Sequence, residues 1–150
     1  MPSPCLQGSD TFLAISKSIS TPLGYVLLSS PLLIGCDMTK LDAFTLNLLS
    51  NDEVLAVDQD SLGRQAARVA QEDSVEVWAK DLDDGSKAVG LFNRGEDDAP
   101  VTAKWSDLGI SGKQMVHDLW RQKDVGQFEG EFKAIVPRHG VLLVKISPVK

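Results

Sequence analysis

The spacing of apolar residues changes twice along the chain, and each change predicts a different kind of structure. Residues 1–24 show no sustained period and are interrupted by proline and serine. Residues 32–34, Leu-Leu-Ile, form a continuous apolar run that is typical of a strand covered on both faces, as in parallel sheets. Apolar residues then recur at the spacing of one helical face, at Leu41, Phe44, Leu48 and Leu49. The pattern predicts one buried strand followed by one amphipathic helix.

Polar residues indicate where two helices begin. Thr39 and Asp42 have a spacing that resembles a capping box, in which side chains satisfy the free amide groups of the first helical turn. Asn51, followed by two acidic residues, predicts a second and shorter helix that ends near Gln59.

From about residue 65 the apolar period becomes two, which indicates β-strands. Residues 75–82 alternate, with valine and alanine on one face and Trp78, Lys80 and Leu82 on the other. The pair Asp84-Gly85 predicts a hairpin turn into a strand at residues 87–93. Further strands are predicted at residues 101–105, 115–120, 128–136 and 141–146. Short strands at such intervals, without helices between them, favour an antiparallel β-sandwich.

Composition and charge restrict the class of partner. The 150-residue chain has 43% apolar and 24% charged residues, which is typical of a globular protein. Its net charge of -6 repels phosphate backbones and anionic lipids, so neither nucleic acid nor a membrane is an expected partner. No run approaches the roughly 18 apolar residues of a membrane-spanning helix. The first residues also lack the basic start and long apolar core of a signal peptide.

The two cysteines, Cys5 and Cys36, have neither a metal-ligand spacing nor the arrangement of a disulfide framework. The sequence therefore predicts no structural zinc site, and no cofactor is expected.

Several motifs, taken in order, resemble a known family. They are PLLIGCDM at residues 31–38, NDEVLAVDQDSLGRQ at 51–65, VEVWAKDL at 75–82, GLFNRG at 90–95, HDLWRQKDVG at 117–126 and HGVLLVKI at 139–146. Together, over residues 25–148, they are similar to the C-terminal part of an alpha-galactosidase of glycoside hydrolase family 27, the melibiase type.

This resemblance implies a fold class and a domain order. Such enzymes have a catalytic (β/α)8 barrel, which takes roughly 250 residues, followed by a C-terminal antiparallel β-sandwich. The expected fold is therefore mainly β: residues 64–150 would form the sandwich, and residues 25–63 would be the last β/α unit of a truncated barrel. Residues 1–24 do not resemble the family, which suggests a truncated or misplaced gene start. Intact relatives act on alpha-galactoside sugars and are often secreted.

No catalytic residue is predicted for this chain. Retaining glycosidases need two carboxyl groups about 5 to 5.5 Å apart. The resemblance places both on strands in the middle of the barrel, with the nucleophile in a Lys-Tyr-Asp context. The single tyrosine here, Tyr25, is followed by Val26 instead.

Asp37 is the one candidate for a substrate-binding role. It lies at the carboxyl end of the predicted barrel strand, the end at which barrel enzymes build their sites. The alternative is a structural role at the start of the following loop or helix.

The other carboxylates are predicted to be structural or solvated. Asp83 and Asp84, like residues 96–98, lie beside turn glycines, which favours exposed hairpin loops. Asp58 and Asp60 follow a helix end, which favours turn or capping roles.

His117 and His139 are also expected to be structural, because neither has an evident serine nucleophile or orienting carboxylate. Lys80 is expected to be solvated. All three tryptophans lie in strand patterns, which favours core packing over stacking on sugar rings: Trp78, Trp105 and Trp120.

Three functions follow as hypotheses. The first is a fragment of an alpha-galactosidase that is inactive alone, because both catalytic aspartates are absent. The second is a carbohydrate-binding module that uses an exposed tryptophan. The third is a structural module whose uncovered strand at residues 32–34 and helix face associate with another chain, which predicts self-association.

Overall fold

The computed structural model describes residues 26–29, 38–40 and 43–149. A 3-10 helix, Met38–Lys40, is followed by helices α1 (Ala43–Leu49) and α2 (Asp52–Asp58). Strands β1 (Ala67–Glu72), β2 (Val75–Asp81), β3 (Lys87–Asn93) and β4 (Ala99–Lys104) come next, and then helix α3 (Trp105–Leu108). The remaining strands are β5 (Lys113–Asp118), β6 (Lys123–Glu129), β7 (Glu131–Val136) and β8 (Val141–Pro148).

The strands form an antiparallel β-sandwich, as the sequence predicts. One sheet has six strands in the order β1-β2-β3-β8-β5-β6, and the other pairs β4 with β7. Val101 and Ala103 of β4, with Phe132 and Val136 of β7, share one buried cluster with strands of the larger sheet. The smaller sheet therefore covers one face of the larger sheet. The opposite face of the six-stranded sheet is called the outer face below.

Alternation along β2 explains why the larger sheet is apolar on both sides. Val77 belongs to the cluster between the two sheets, whereas Leu82 and Trp78 belong to a second cluster on the outer face. Successive side chains of a strand point to opposite faces, so residues with period two supply both clusters. The predicted turn at Asp84-Gly85 joins β2 to β3, and Gly85 has the positive φ of 79° that such turns favour in glycine.

Helical residues cover part of the outer face. Val54 and Val57 of α2 are buried there together with Leu27, against Ala88 and Leu143 of the sheet. Gly90 allows this close packing, because a Cβ atom at that position would lie 2.6 Å from the Leu27 Cδ1 atom. Two stretches that precede the sandwich in the sequence therefore contribute to its second core.

Helix α2 has the limits that the sequence predicts. Asn51 is the N-cap, and its side-chain oxygen accepts a hydrogen bond of 3.2 Å from the Val54 amide. Gln59 is the C-cap. The same Asn51 side chain donates to the Leu119 carbonyl oxygen at 2.9 Å, so the cap also joins the helix to the sandwich.

Three local predictions are wrong. The strand expected at residues 128–136 is two strands, β6 and β7, separated at Gly130, whose φ is 82°. Trp105 begins helix α3, because the chain leaves the edge of the sheet after Lys104, and Trp120 lies in the turn after β5. Period-two spacing persists through these positions, so the pattern does not reveal where a strand ends.

Several predictions for the start of the chain lie outside the described residues. They include the unpatterned segment 1–24, the apolar run at 32–34 and the candidate Asp37. The description resumes at Met38, which begins the 3-10 helix. Within the described part of the chain, no helix is long and apolar enough to cross a membrane.

Candidate functional site

A groove of about 570 Å³ lies between helix α2 and the outer face, beside the β2–β3 hairpin. Its walls carry the carboxylates Glu53, Asp60, Asp83, Asp84 and Asp124. The basic groups among its lining residues are His117 and Lys145. This charged groove follows the line along which the helical segment meets the sandwich.

His117 joins three elements in the charged groove. Its Nδ1 atom lies 2.6 Å from the Asp124 Oδ1 atom on β6, and its Nε2 atom lies 2.8 Å from the Glu53 Oε2 atom on α2. The hydrogen bond with Asp124 is the main cause of a raised pKa for His117, burial opposes it, and Glu53 adds to it. The prediction that no carboxylate orients this histidine is therefore wrong.

Lys145 and Asp84 form a second ion pair in the groove. The Lys145 Nζ atom donates to the Asp84 Oδ2 atom at 2.6 Å, and the Ser86 hydroxyl also donates to this carboxylate. Burial raises the pKa of Asp84, but the hydrogen bonds from Lys145 and Ser86 outweigh burial and lower the pKa to about 2. Asp84 therefore remains ionised at neutral pH.

Asp60 has the turn role that its position predicts. Its carboxylate accepts hydrogen bonds from the backbone amides of Leu62, at 3.1 Å, and of Asp83, at 3.0 Å. It therefore fixes the chain after α2 to the β2–β3 hairpin. Asp83 and Asp84 are exposed residues of that hairpin, and residues 96–98 are exposed as well, as the sequence predicts.

Lys80 is buried, so the expectation of a solvated side chain is wrong. Only 3% of the residue is exposed, and its Nζ atom donates to the Val26 carbonyl oxygen at 3.2 Å and to the Ser29 hydroxyl at 2.9 Å. It also donates to the carbonyl oxygen of Val57, in the last turn of α2. Burial lowers the pKa of Lys80, and the charges of Asp58 and Asp60 oppose this shift. One lysine of the sheet thus holds two stretches of the preceding chain.

Asp58 differs from the other carboxylates near the groove. Burial raises its pKa, and the charge of Lys80 opposes this change. Its Oδ1 atom is buried without a hydrogen-bond partner among the described residues. Asp58 is not one of the residues that line the charged groove. The expected capping role therefore does not account for its environment.

His139 has a carboxylate partner as well. It lies in the predicted turn, with its Nε2 atom 3.1 Å from the Glu96 Oε2 atom. Glu96 is in the connection between β3 and β4, and neither residue of this pair lines the charged groove. Glu53 is 64 residues from His117 and Glu96 is 43 residues from His139, so the local pattern gives no signal for these two contacts.

The tryptophans pack as the sequence predicts. Trp105 is 3% exposed and lies in the cluster between the two sheets. Trp78 and Trp120 are half-buried against the outer-face cluster. The Trp78 Nε1 atom donates to Glu76 at 2.8 Å, and Glu76 is itself buried and paired with Arg68 and Arg94. These contacts hold the Trp78 ring against the outer-face cluster.

The family of alpha-galactosidase C-terminal β-sandwich domains matches residues 72–146, which extend from the end of β1 into β8. This chain belongs to that family. The matched residues include most of the strands described above, so the expected resemblance and the β-sandwich fold are both confirmed.

Curated relatives extend the similarity beyond the sandwich. The alpha-galactosidase of Coffea arabica is 40% identical over 126 residues, which are 83% of this chain and 33% of the relative. Alpha-galactosidase 2 of Arabidopsis thaliana is 41% identical over 125 residues, 82% of this chain and 32% of the relative. The chain therefore spans about a third of the length of these relatives.

Solved structures show the same fold. Alpha-galactosidase I from Mortierella vinacea superposes with a TM-score of 0.80 at 31% identity, covering 87% of this chain and 35% of the other. A β-L-arabinopyranosidase of glycoside hydrolase family 27 from Geobacillus stearothermophilus superposes with a TM-score of 0.82 at 30% identity, covering 89% of this chain and 31% of the other. The sandwich is therefore shared by relatives that are named for different sugars.

Proposed function

We propose that this chain supplies the C-terminal β-sandwich of an alpha-galactosidase, and that its residues do not cleave glycosidic bonds by themselves. In this proposal the sandwich supports a catalytic barrel that acts on terminal alpha-galactosyl groups. The observation that carries the proposal is the family match over residues 72–146, together with the similarity to alpha-galactosidases over more than four fifths of the chain.

The packing of the helical segment supports a scaffolding role. Val54 and Val57 of α2 are buried in the outer-face cluster, and Lys80 binds carbonyl oxygens on both preceding stretches. An interface with a buried apolar centre and satisfied polar groups holds two parts of a protein in a fixed arrangement. The sandwich would thereby fix the orientation of the residues that precede it.

Asp58 and four carboxylates of the charged groove do not have the properties of a glycosidase pair. Such a pair needs one carboxyl group with a raised pKa and a second, ionised group that faces the same sugar. Asp84 bonds to Lys145, Glu53 and Asp124 bond to His117, and Asp60 accepts from backbone amides. Asp58 has the raised pKa but is not among the residues of the groove. These contacts support structural roles for the carboxylates.

The relatives also support the proposal that the sandwich does not determine which sugar the enzyme binds. Neighbours named an alpha-galactosidase and a β-L-arabinopyranosidase have the same sandwich. Asp37 remains the proposed substrate-binding residue, acting only when a barrel completes the site around it.

An activity assay tests the proposal that this chain does not cleave glycosidic bonds by itself. The purified 150-residue chain is incubated with p-nitrophenyl alpha-galactoside, beside the full-length Coffea arabica enzyme as a positive control. We expect release of nitrophenol by the control and no release above the blank by this chain. Turnover by the chain at a rate comparable with the control would contradict the proposal of inactivity.

The scaffolding role is tested in a chimera. Residues 43–149 replace the matching region of the Coffea arabica enzyme, and a matched control carries the same graft with Val57→Asp. We expect the first chimera to fold and to retain alpha-galactosidase activity, and the control to lose folded protein because a charge enters the outer-face cluster. Equal yield and activity of both chimeras would contradict a supporting role for this interface.

A further inference from the structure

The His117 ring lies between two carboxylates that belong to different parts of the fold. Glu53 is in the first turn of α2, and Asp124 is near the start of β6. The side chain of His117 is 25% exposed and that of Glu53 is 35% exposed, so water only partly screens their interaction. His117 itself is near the end of β5, at the side of the sheet that α2 covers.

We propose that Glu53, His117 and Asp124 form a proton-dependent clamp that holds helix α2 against the sandwich when His117 is charged and releases it when His117 is neutral. This inference concerns the response of the interface to pH and does not depend on the proposed role in an alpha-galactosidase.

The hydrogen-bond geometry favours the charged form of the ring. Both carboxylates are acceptors when ionised, and each faces one ring nitrogen at hydrogen-bond distance. The neutral ring has one N–H group, whereas the charged ring has two. Loss of the proton therefore leaves one carboxylate facing a nitrogen lone pair. Asp124 is held beside the ring because it is the register partner of His117 in the β5–β6 ladder, whereas Glu53 is on a separate helix, so the contact with Glu53 and helix α2 is the one that the neutral ring releases.

The other charged groups around His117 are bonded elsewhere. On β8, Lys145 is the register partner of His117, and its Nζ atom bonds to Asp84 of the β2–β3 hairpin. On β5 itself, Asp118 is buried and bonds to Arg121. In the first turn of α2, Asp52 accepts from Gln122. Among the described residues, the ring therefore has Glu53 and Asp124 as its ionic partners.

The clamp acts on a helix that has few other polar connections. Helix α2 has seven residues, too few to be stable alone. Its other hydrogen bonds to the sandwich come from Asn51, Lys80 and Gln122. Of these groups only Lys80 titrates, and burial lowers its pKa from an ordinary value of 10.5, whereas the ordinary value of histidine is 6.5. Among the polar groups that connect α2 to the sandwich, His117 is the one whose ordinary pKa, 6.5, is near neutrality.

The direction of the pH effect follows from the raised pKa of His117 in the docked state. A raised pKa means that the docked state binds the proton more tightly than the undocked state does. The stabilisation is complete below the ordinary value of 6.5 and is lost as the pH rises through the raised value. Each unit of difference between the two values changes the docking equilibrium about tenfold.

Hydrogen exchange on the full chain tests the clamp. Amide protection in α2 is measured from pH 5 to pH 9 and corrected for the intrinsic change of exchange rate with pH. We expect protection in α2 to fall as the pH rises past 6.5, while protection in β3 remains constant. The variant His117→Gln should show weak protection in α2 at every pH. The matched control is His139→Gln, which removes the other histidine and should behave like the unmodified chain.

A second variant separates the clamp from a general loss of stability. Glu53→Gln removes the carboxylate on α2 but leaves the pair of His117 with Asp124. We expect His117 still to titrate with a raised pKa in an NMR titration of its ring, while protection in α2 no longer depends on pH. The inference is overturned if α2 in the unmodified chain has the same protection across the range. It is also overturned if Glu53→Gln retains the full pH dependence.

Discussion

The Nζ atom of Lys80, on strand β2, donates a hydrogen bond to the carbonyl oxygen of Val57, in the last turn of helix α2. Carbonyl groups at the end of a helix lack partners within the helix, and a cation there also interacts favourably with the helix dipole. Since Lys80 also bonds to Val26 and Ser29, one side chain satisfies polar groups of two separate stretches. The interface of the sandwich with the preceding residues therefore has a polar centre as well as an apolar one.

Replacement of Lys80 by methionine tests this polar centre. The variant keeps much of the apolar side-chain length but leaves the Val57 and Val26 carbonyl groups without their donor. An unsatisfied buried polar group costs about 1–3 kcal/mol, so we expect Lys80→Met to lower the free energy of unfolding by an amount in this range. Urea unfolding followed by tryptophan fluorescence measures the change. Lys104→Met, at an exposed residue, is the matched control and should hardly change the free energy of unfolding. Equal effects of both substitutions would show that the buried contacts of Lys80 do not stabilise the fold.

Asn51 should be important for helix α2 for two reasons. Its side chain caps the helix at Val54 and also donates to Leu119. Loss of an N-cap alone costs about 0.5–2 kcal/mol, and Asn51→Ala loses the second bond in addition. We expect a lower urea midpoint and faster hydrogen exchange in α2. Asn47→Ala, at an exposed position within α1, is the control and should have little effect, because alanine favours a helix interior. A similar loss of stability in this control would argue against the capping role of Asn51.

Gly90 should tolerate no side chain while Leu27 is in place. A Cβ atom at Gly90 would lie 2.6 Å from the Leu27 Cδ1 atom and 2.8 Å from the Phe92 ring. Overpacking of a core costs about 1–3 kcal/mol, so Gly90→Ala should destabilise the protein by that order. The double variant Gly90→Ala with Leu27→Ala removes the contact with Leu27 and leaves the one with Phe92, so we expect its loss to be smaller than the sum of the two single losses. Additive losses in a double-mutant cycle would contradict the contact.

Asp84 should contribute to stability in mildly acidic solution. Its pKa in the folded protein is about 2, below the ordinary value of 3.8, so its contribution is present above 3.8 and is lost as the pH falls towards 2. We expect Asp84→Asn to make the decline in melting temperature between pH 4 and pH 2 less steep. Asp83→Asn changes the adjacent exposed carboxylate, which does not bond to Lys145, and should leave the slope as it is. An unchanged slope in Asp84→Asn would show that the ion pair with Lys145 does not stabilise the fold.

The sequence by itself determines the elements whose evidence is local. The alternation in residues 75–82 gives both faces of β2, the Asp84-Gly85 turn gives the hairpin, and Asn51 and Gln59 give the limits of α2. Each of these signals depends on neighbouring residues, because strand period, turn conformation and helix capping are properties of a few consecutive positions. The order of motifs also indicates the family, and the family has a β-sandwich.

Only the tertiary structure decides which polar side chains are buried and what they bind. Lys80 occupies a strand position that alternation alone would leave to solvent, yet its acceptors Val57 and Val26 are 23 and 54 residues away. Glu53 is 64 residues from His117. A charged side chain is stable in the interior only where polar partners surround it. Since these partners come from distant parts of the sequence, a local pattern of residues does not reveal them. For this reason the interface between helix α2 and the sandwich, on which the proposed scaffolding role depends, becomes visible only in the tertiary structure.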